Sequence, residues 1–269
     1  AVLESAYMIS SPELKAARFG HQSAEALGSQ LTDKLGADSI AALRKVDAQG
    51  LVNRATVEGY LTWGTIDGKV IPRQIVDIFD RGEQAPVPLL AGFNSGEIRS
   101  LRRLLAPAPG NATKYEAKIR AAYGDLADEF LQIYPSNSID ESMLAATRDA
   151  MYGWTAERLA RKQTSLGEPA YLYLFDHGYP AADKAGLHAF HASEVPYVFG
   201  TLFETTDAWP HIPRTDAERA LSNAMLGYWT SFARDGVPIA AGQPAWPAYD
   251  KAMGFMAFVD EPQPGRSLM

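Results

Sequence analysis

The chain of 269 residues has no cysteine, which excludes disulfides, thiolate metal sites and a cysteine nucleophile. It lacks any apolar run near the roughly 20 residues that cross a bilayer, so no membrane span is expected. Basic residues are in deficit. A net charge of −7 argues against a nucleic-acid partner, because a surface that tracks phosphates needs a positive excess. Internal repeats, low-complexity tracts and Gly/Ser linkers are missing. So is any Gly-x-Ser-x-Gly sequence, the turn that exposes a nucleophilic serine between a strand and a helix.

What is present reads as a globular α/β chain, with 46% hydrophobic and 21% charged residues. Its first residues, Ala1 to Ala6, are apolar and β-prone, unlike the polar ends of most domains, and read as an interior piece of a longer polypeptide. Ser11-Pro12-Glu13 looks like a helix cap followed by proline at the first helical position. Together with Leu14, Ala17, Ala24, Leu27 and Leu31 it predicts a helix over 12–31. A second helix is predicted over 37–47, with Ile40, Leu43 and Val46 facing inward. Asp67-Gly68 marks a tight turn, and a short helix is expected between Pro72 and Gly82. Val87–Asn94 reads as a strand buried on both faces, and Ala170–Asp176 as a second strand. Residues 112–165 predict several helices and 215–235 a long one, with Leu221, Met225, Tyr228, Trp229 and Phe232 on one stripe. A last strand or extended run covers Gly254–Val259. Only two or three core strands are convincing, few for an open sheet.

The most informative stretch is His191-Ala192-Ser193-Glu194-Val195-Pro196-Tyr197-Val198-Phe199-Gly200, a histidine on a loop before an apolar run that reads as β-prone. It resembles the segment that carries the catalytic histidine in type-B carboxylesterases. Other blocks are similar to that family in the same order: Ala1–Ala6, Ala24–Gly28, Asp67–Pro72, Pro88–Glu97, Tyr228–Pro238 and Trp246–Tyr249. The resemblance runs almost end to end and covers the carboxy-terminal half of the family's α/β-hydrolase domain. Residues 1–269 are therefore expected to be part of one such domain, without its nucleophile-bearing amino-terminal half.

The resemblance implies Glu97 as the triad carboxylate and His191 as the base, in the family's order of Ser, acid, His. It implies hydrolysis of small carboxylic esters through an acyl-enzyme. The amino-terminal half of the same protein would supply the serine and the oxyanion hole. Where the family commonly has glycine after the acid, this chain has Ile98. Glu4-Ser5-Ala6 superficially resembles the serine elbow, but Leu3 and Tyr7 replace its flanking glycines. Ser5 aligns instead with a later, non-nucleophilic serine. Glu194 matches a buried supporting glutamate. Tyr7, Trp63 and Tyr197 are candidates to line the pocket. Arg99 and Arg102, with Arg103, could hold an acidic ester, although a solvated helix face explains them as well. No cofactor is implied, and His188 with His191 has no third metal ligand in view. The alternative is a cholinesterase-like domain that binds partners without catalysis. Keeping both Glu97 and His191 favours the enzyme.

Overall fold

The computed structural model describes residues 1–60 and 64–268, in two compact units. Residues 8–84 form the smaller one, with α1 (Ala24–Leu35), α2 (Ile40–Leu43), α3 (Ala48–Val57) and α4 (Ile75–Asp80). The helix expected over 12–31 begins only at Ala24. Phe19 and Gly20 take left-handed φ values of 53° and 78°, which a right-handed helix cannot accommodate. Residues 12–14 instead bond to Ile66 in extended fashion. Ser23, whose hydroxyl accepts from the Ala26 N–H, is the true cap.

The helix expected over 37–47 is also corrected. Asp47 stops being its last residue and caps α3, accepting from the Gly50 N–H. Ile40, expected inward, is 63% exposed on the single turn of α2. The turn at Asp67-Gly68 and the helix ending before Gly82 form where the residues predict them.

The larger unit, residues 1–7 and 85–269, is built on five strands in the order β1-β2-β3-β4-β5. These are β1 (Val2–Glu4), β2 (Leu89–Asn94), β3 (Ala170–Phe175), β4 (Gly254–Phe258) and β5 (Pro262–Arg266). The first four run parallel and β5 pairs antiparallel to β4. Every residue of β2 is buried, as its apolar run of Leu89 to Phe93 suits in a parallel sheet, and Asn94 closes it as a buried polar residue. The strand missed in the sequence is β5. Pro-Gln-Pro-Gly-Arg reads as loop, and only an edge position tolerates its two prolines.

Helices α5 (Ala112–Tyr123), α6 (Ala127–Ile133), α7 (Ile139–Arg148) and α8 (Trp154–Ser165) lie between β2 and β3. Between β3 and β4 come α9 (Pro180–Lys184), α10 (Val195–Val198) and α11 (Asp216–Asp235). Residues 195–198, read as β-prone, are thus one helical turn. Pro196 is pre-set for a first turn, and burial of Tyr197 and Val198 overrides their strand preference. Thr215 caps α11 and Gly236, left-handed at φ 74°, ends it. Its stripe of Leu221, Met225, Tyr228, Trp229 and Phe232 packs with Tyr171, Tyr173, Phe175, Met256 and Phe258. Each such side chain contributes roughly 1.5–3 kcal/mol by leaving water. That packing holds the carboxyl ends of β2 and β3 rigid, where α/β folds carry their functional loops.

Candidate active site

Chain direction delivers Glu97 three residues past the end of β2, and Ile98 beside it is buried in the core. The side chain at 98 therefore leaves the carboxylate in place. Gly96 is what lets the next loop approach. Its N–H donates to the Ala189 carbonyl at 2.8 Å, and a Cβ there would come within 2.7 Å of that oxygen. Asn94 adds a second tie, its Nδ2 donating to the Phe190 carbonyl at 2.8 Å. Two loops far apart in sequence are thereby fixed side by side.

The result is a contact of 2.5 Å between Glu97 Oε2 and His191 Nδ1. An ionised carboxylate only accepts, so Nδ1 carries the proton and Nε2 keeps its lone pair. Glu97 is fully buried, whereas the His191 side chain is 36% exposed. The bond from Glu97 raises the imidazole pKa above its ordinary value, against the opposing effect of burial. The other carboxylate oxygen, Oε1, accepts from Ser5 Oγ at 2.5 Å and from the Asn94 N–H at 2.9 Å. Ser5 reaches it because its own N–H is held by the Gly92 carbonyl across β1 and β2. Its hydroxyl serves the carboxylate and is not placed as a nucleophile.

A carboxylesterase family model matches residues 1–267. The chain belongs to the carboxylesterase family. Among curated relatives, pyrethroid hydrolase Ces2e of Rattus norvegicus is 29% identical over 76% of this chain and 38% of its own length. The fumonisin B1 esterase of Sphingopyxis macrogoltabida is 28% identical over 87% and 45%. Cocaine esterase of Oryctolagus cuniculus is 30% identical over 76% and 41%. The carboxylesterase EST55 of Geobacillus stearothermophilus superposes with a TM-score of 0.72 at 21% identity, covering 99% of this chain and 55% of that one. The likeness to that structure concerns the fold. This chain spans less than half the length of these curated relatives.

Other residues of this carboxylesterase chain surround the pair. Glu194 is buried, and its Oε2 accepts from Asn94 Nδ2 at 2.5 Å, so one asparagine links the carboxyl to the Glu97 loop. Burial pushes its pKa up to about 7, opposed by the Asn94 bond and reinforced by the charges of Glu97 and Glu4. Glu4, at the end of β1, is anchored by Trp229 Nε1 at 2.7 Å. Tyr152, which its sequence context does not single out, lies with its ring 5.8 Å from that of His191 at 31°. It sits in the π-helical segment Asp149–Gly153, a widened turn of the kind that often marks functional positions. Tyr7 packs edge-on against Tyr152 and is 46% exposed.

Tyr197, expected to line the pocket, is instead fully buried. Its hydroxyl donates to Glu218 at 2.6 Å, which makes it a core residue. Trp63 falls outside the described residues. Arg99 pairs with Glu141 at 2.5 Å and Arg102 pairs with Asp140, both acids in the first turn of α7. His188, at a left-handed φ of 51°, is held by Asp183 on Nδ1 and Asp176 on Nε2, which braces the loop that leads to His191.

Proposed function

We propose that this chain supplies the acid–base half of a serine carboxylesterase and forms the carboxy-terminal part of one α/β-hydrolase domain. The reading rests on one observation: a buried carboxylate on Nδ1 of a half-exposed imidazole. With Nδ1 occupied, Nε2 can take the proton of a serine hydroxyl as its oxygen attacks the ester carbonyl. The same proton then goes to the departing alcohol, leaving the acyl group on serine. A water activated by the same nitrogen releases the acid and restores the hydroxyl. Glu97 stabilises the imidazolium in each half and fixes the tautomer. The serine and the oxyanion donors come from a segment of the protein outside these residues, which hold no Gly-x-Ser-x-Gly. Small esters are the substrates, in keeping with the ester hydrolases among the relatives.

Hydrolysis of p-nitrophenyl butyrate by the full-length protein tests this. His191→Ala should lower kcat by at least about a thousandfold, since a triad member is lost while binding persists. An unchanged rate would refute the assignment of His191, and no hydrolysis by the parent protein would leave the binding role as the better account.

A further inference from the structure

The Glu97 bond fixes one nitrogen of His191 but not the plane of its ring. A single hydrogen bond lets an imidazole pivot about its donor, and this side chain is half-exposed, so protein encloses only part of it. A second contact supplies what is missing. The ring of Tyr152 lies 5.8 Å from that of His191, centroid to centroid, at an interplanar angle of 31°. Tyr152 is itself held. It is buried, and Tyr7 packs against it edge-on at 6.3 Å and 78°.

The backbone that presents this ring is tied to the acid loop. Arg148, just before the π-helical turn, grips the carboxylate of Asp149 through Nε at 2.7 Å and Nη2 at 3.0 Å. Its remaining nitrogen, Nη1, donates at 3.1 Å to the carbonyl of Ser95, on the short path from β2 to Glu97. The Tyr134 hydroxyl donates to Asp149 at 2.9 Å, and Thr155 Oγ1 donates to the Met151 carbonyl at 2.7 Å. One framework thus carries both the carboxylate and the ring.

We propose that Tyr152 is a positioning residue, whose ring sets the plane of the His191 imidazole and stabilises the imidazolium formed when Nε2 takes the serine proton. The face of a phenol ring carries negative potential, and the separation lies within the ~6 Å over which such faces attract cations. Burial first, then the charge of Glu97, pushes the Tyr152 pKa up to about 12, so the ring stays neutral while His191 titrates. Besides the Glu97 bond and burial, the charges that act on His191 are those of Glu97, Glu194 and Arg103, and the variants below keep all of them. The proposal rests on the hydrolase reading above and adds a residue to it.

The test is the pH profile of p-nitrophenyl butyrate hydrolysis by the full-length protein. Tyr152→Phe keeps the ring, so kcat should stay within about threefold and the acid limb of kcat/KM should not move. Tyr152→Leu removes the ring face, and replacement of Tyr152 by pentafluorophenylalanine keeps the shape while reversing the potential of that face. Each should lower kcat about tenfold with KM within about twofold. Each should also move the acid limb down by about half a pH unit, because the imidazolium loses support and the neutral base persists to lower pH. The fluorinated ring decides the matter if Tyr152→Leu does not fold. An acid limb that stays in place with the fluorinated ring, while the parent hydrolyses the ester, reduces Tyr152 to packing and sinks this proposal alone. A loss in Tyr152→Phe as large as in Tyr152→Leu also overturns it, by assigning the effect to the hydroxyl. If the parent hydrolyses no ester, the hydrolase reading fails and takes this proposal with it.

Discussion

Glu97 holds His191 at Nδ1 over 2.5 Å, and its other oxygen takes the Ser5 hydroxyl. Glu218 holds His177 at Nε2 over 2.9 Å, and the same oxygen also takes the Tyr197 hydroxyl. Both are histidine–glutamate–hydroxyl trios, and both imidazoles have raised pKa values. They differ in what is left over. Gripping Nδ1 leaves Nε2, the nitrogen at the far end of the ring, on a side chain 36% exposed. Gripping Nε2 leaves His177 Nδ1 buried beside the Val259 backbone and 3.6 Å from Asp260. The His177 side chain is 9% exposed. A histidine beside a carboxylate is thus no signature of proton transfer. Which nitrogen is engaged, and whether the other meets solvent, separates a clamp from a base.

The sharpest way to break this contrast is Glu97→Gln. An amide can donate to Nδ1 and favour the wrong tautomer, so kcat should fall by about 10³- to 10⁴-fold. The pH profile gives an independent readout. The base works only when neutral, so in the parent enzyme activity rises with pH through a His191 pKa held above 6.5, chiefly by the Glu97 bond. Without that carboxylate the pKa drops, and the acid limb of kcat/KM should move to lower pH even as the plateau falls. A limb that stays in place would mean that some other group titrates there.

His177 should respond in stability, with catalysis spared. Replacing it in His177→Leu leaves Glu218 buried without its cationic partner, a loss of about 3 kcal/mol in urea denaturation of the full-length protein. The sign with pH follows from both members. Burial alone would lower the His177 pKa, but the bond and charge of Glu218, joined by the Val259 backbone and the charge of Asp260, outweigh it and the net shift is upward. That contribution is complete below the unfolded value near 6.5 and is lost as pH rises through the folded one. Burial works to raise the Glu218 pKa, yet His177 and Tyr197 bring it below 4.5, so its share disappears as pH falls through the folded value. The penalty of His177→Leu should therefore be greatest between about pH 5 and 6 and shrink toward pH 8.5. A penalty that grows with pH would contradict the ion pair.

Much of this contrast was legible in the sequence, though unevenly. Val87–Asn94 announces a buried parallel strand and Ala170–Asp176 a second strand because nothing polar interrupts them, and the order of blocks around Glu97 and His191 points to the pair. The Glu218 trio escapes because each member is ordinary alone: a glutamate in a first helical turn, a histidine after a strand, a tyrosine on an apolar run. Its Tyr197 even reads as pocket lining, since burial is a tertiary property. Tyr152 is hidden for another reason. Its place over His191 depends on a π-helical turn that no residue in Asp149–Gly153 dictates. Residues 12–22 misread as helix because apolar spacing is blind to the left-handed backbone at Phe19 and Gly20.

The smallest expected effect concerns the hydroxyl in the first trio. Ser5 adopts a left-handed φ of 53°, a conformation that costs a non-glycine residue on the order of 1 kcal/mol, and it is buried there. Its hydroxyl is one of three donors to Glu97, beside the Asn94 N–H and His191. Ser5→Ala removes the bond and keeps the strain, whereas Ser5→Gly removes both. If the bond matters because it fixes the carboxylate, the two variants should lose the same amount of kcat, about fivefold. Their stabilities should then separate, with the glycine variant more stable than the alanine one by roughly 1 kcal/mol. Should Ser5→Gly recover the parent rate while Ser5→Ala does not, the serine acts through backbone conformation alone. The analogy with the Tyr197 hydroxyl would then fail.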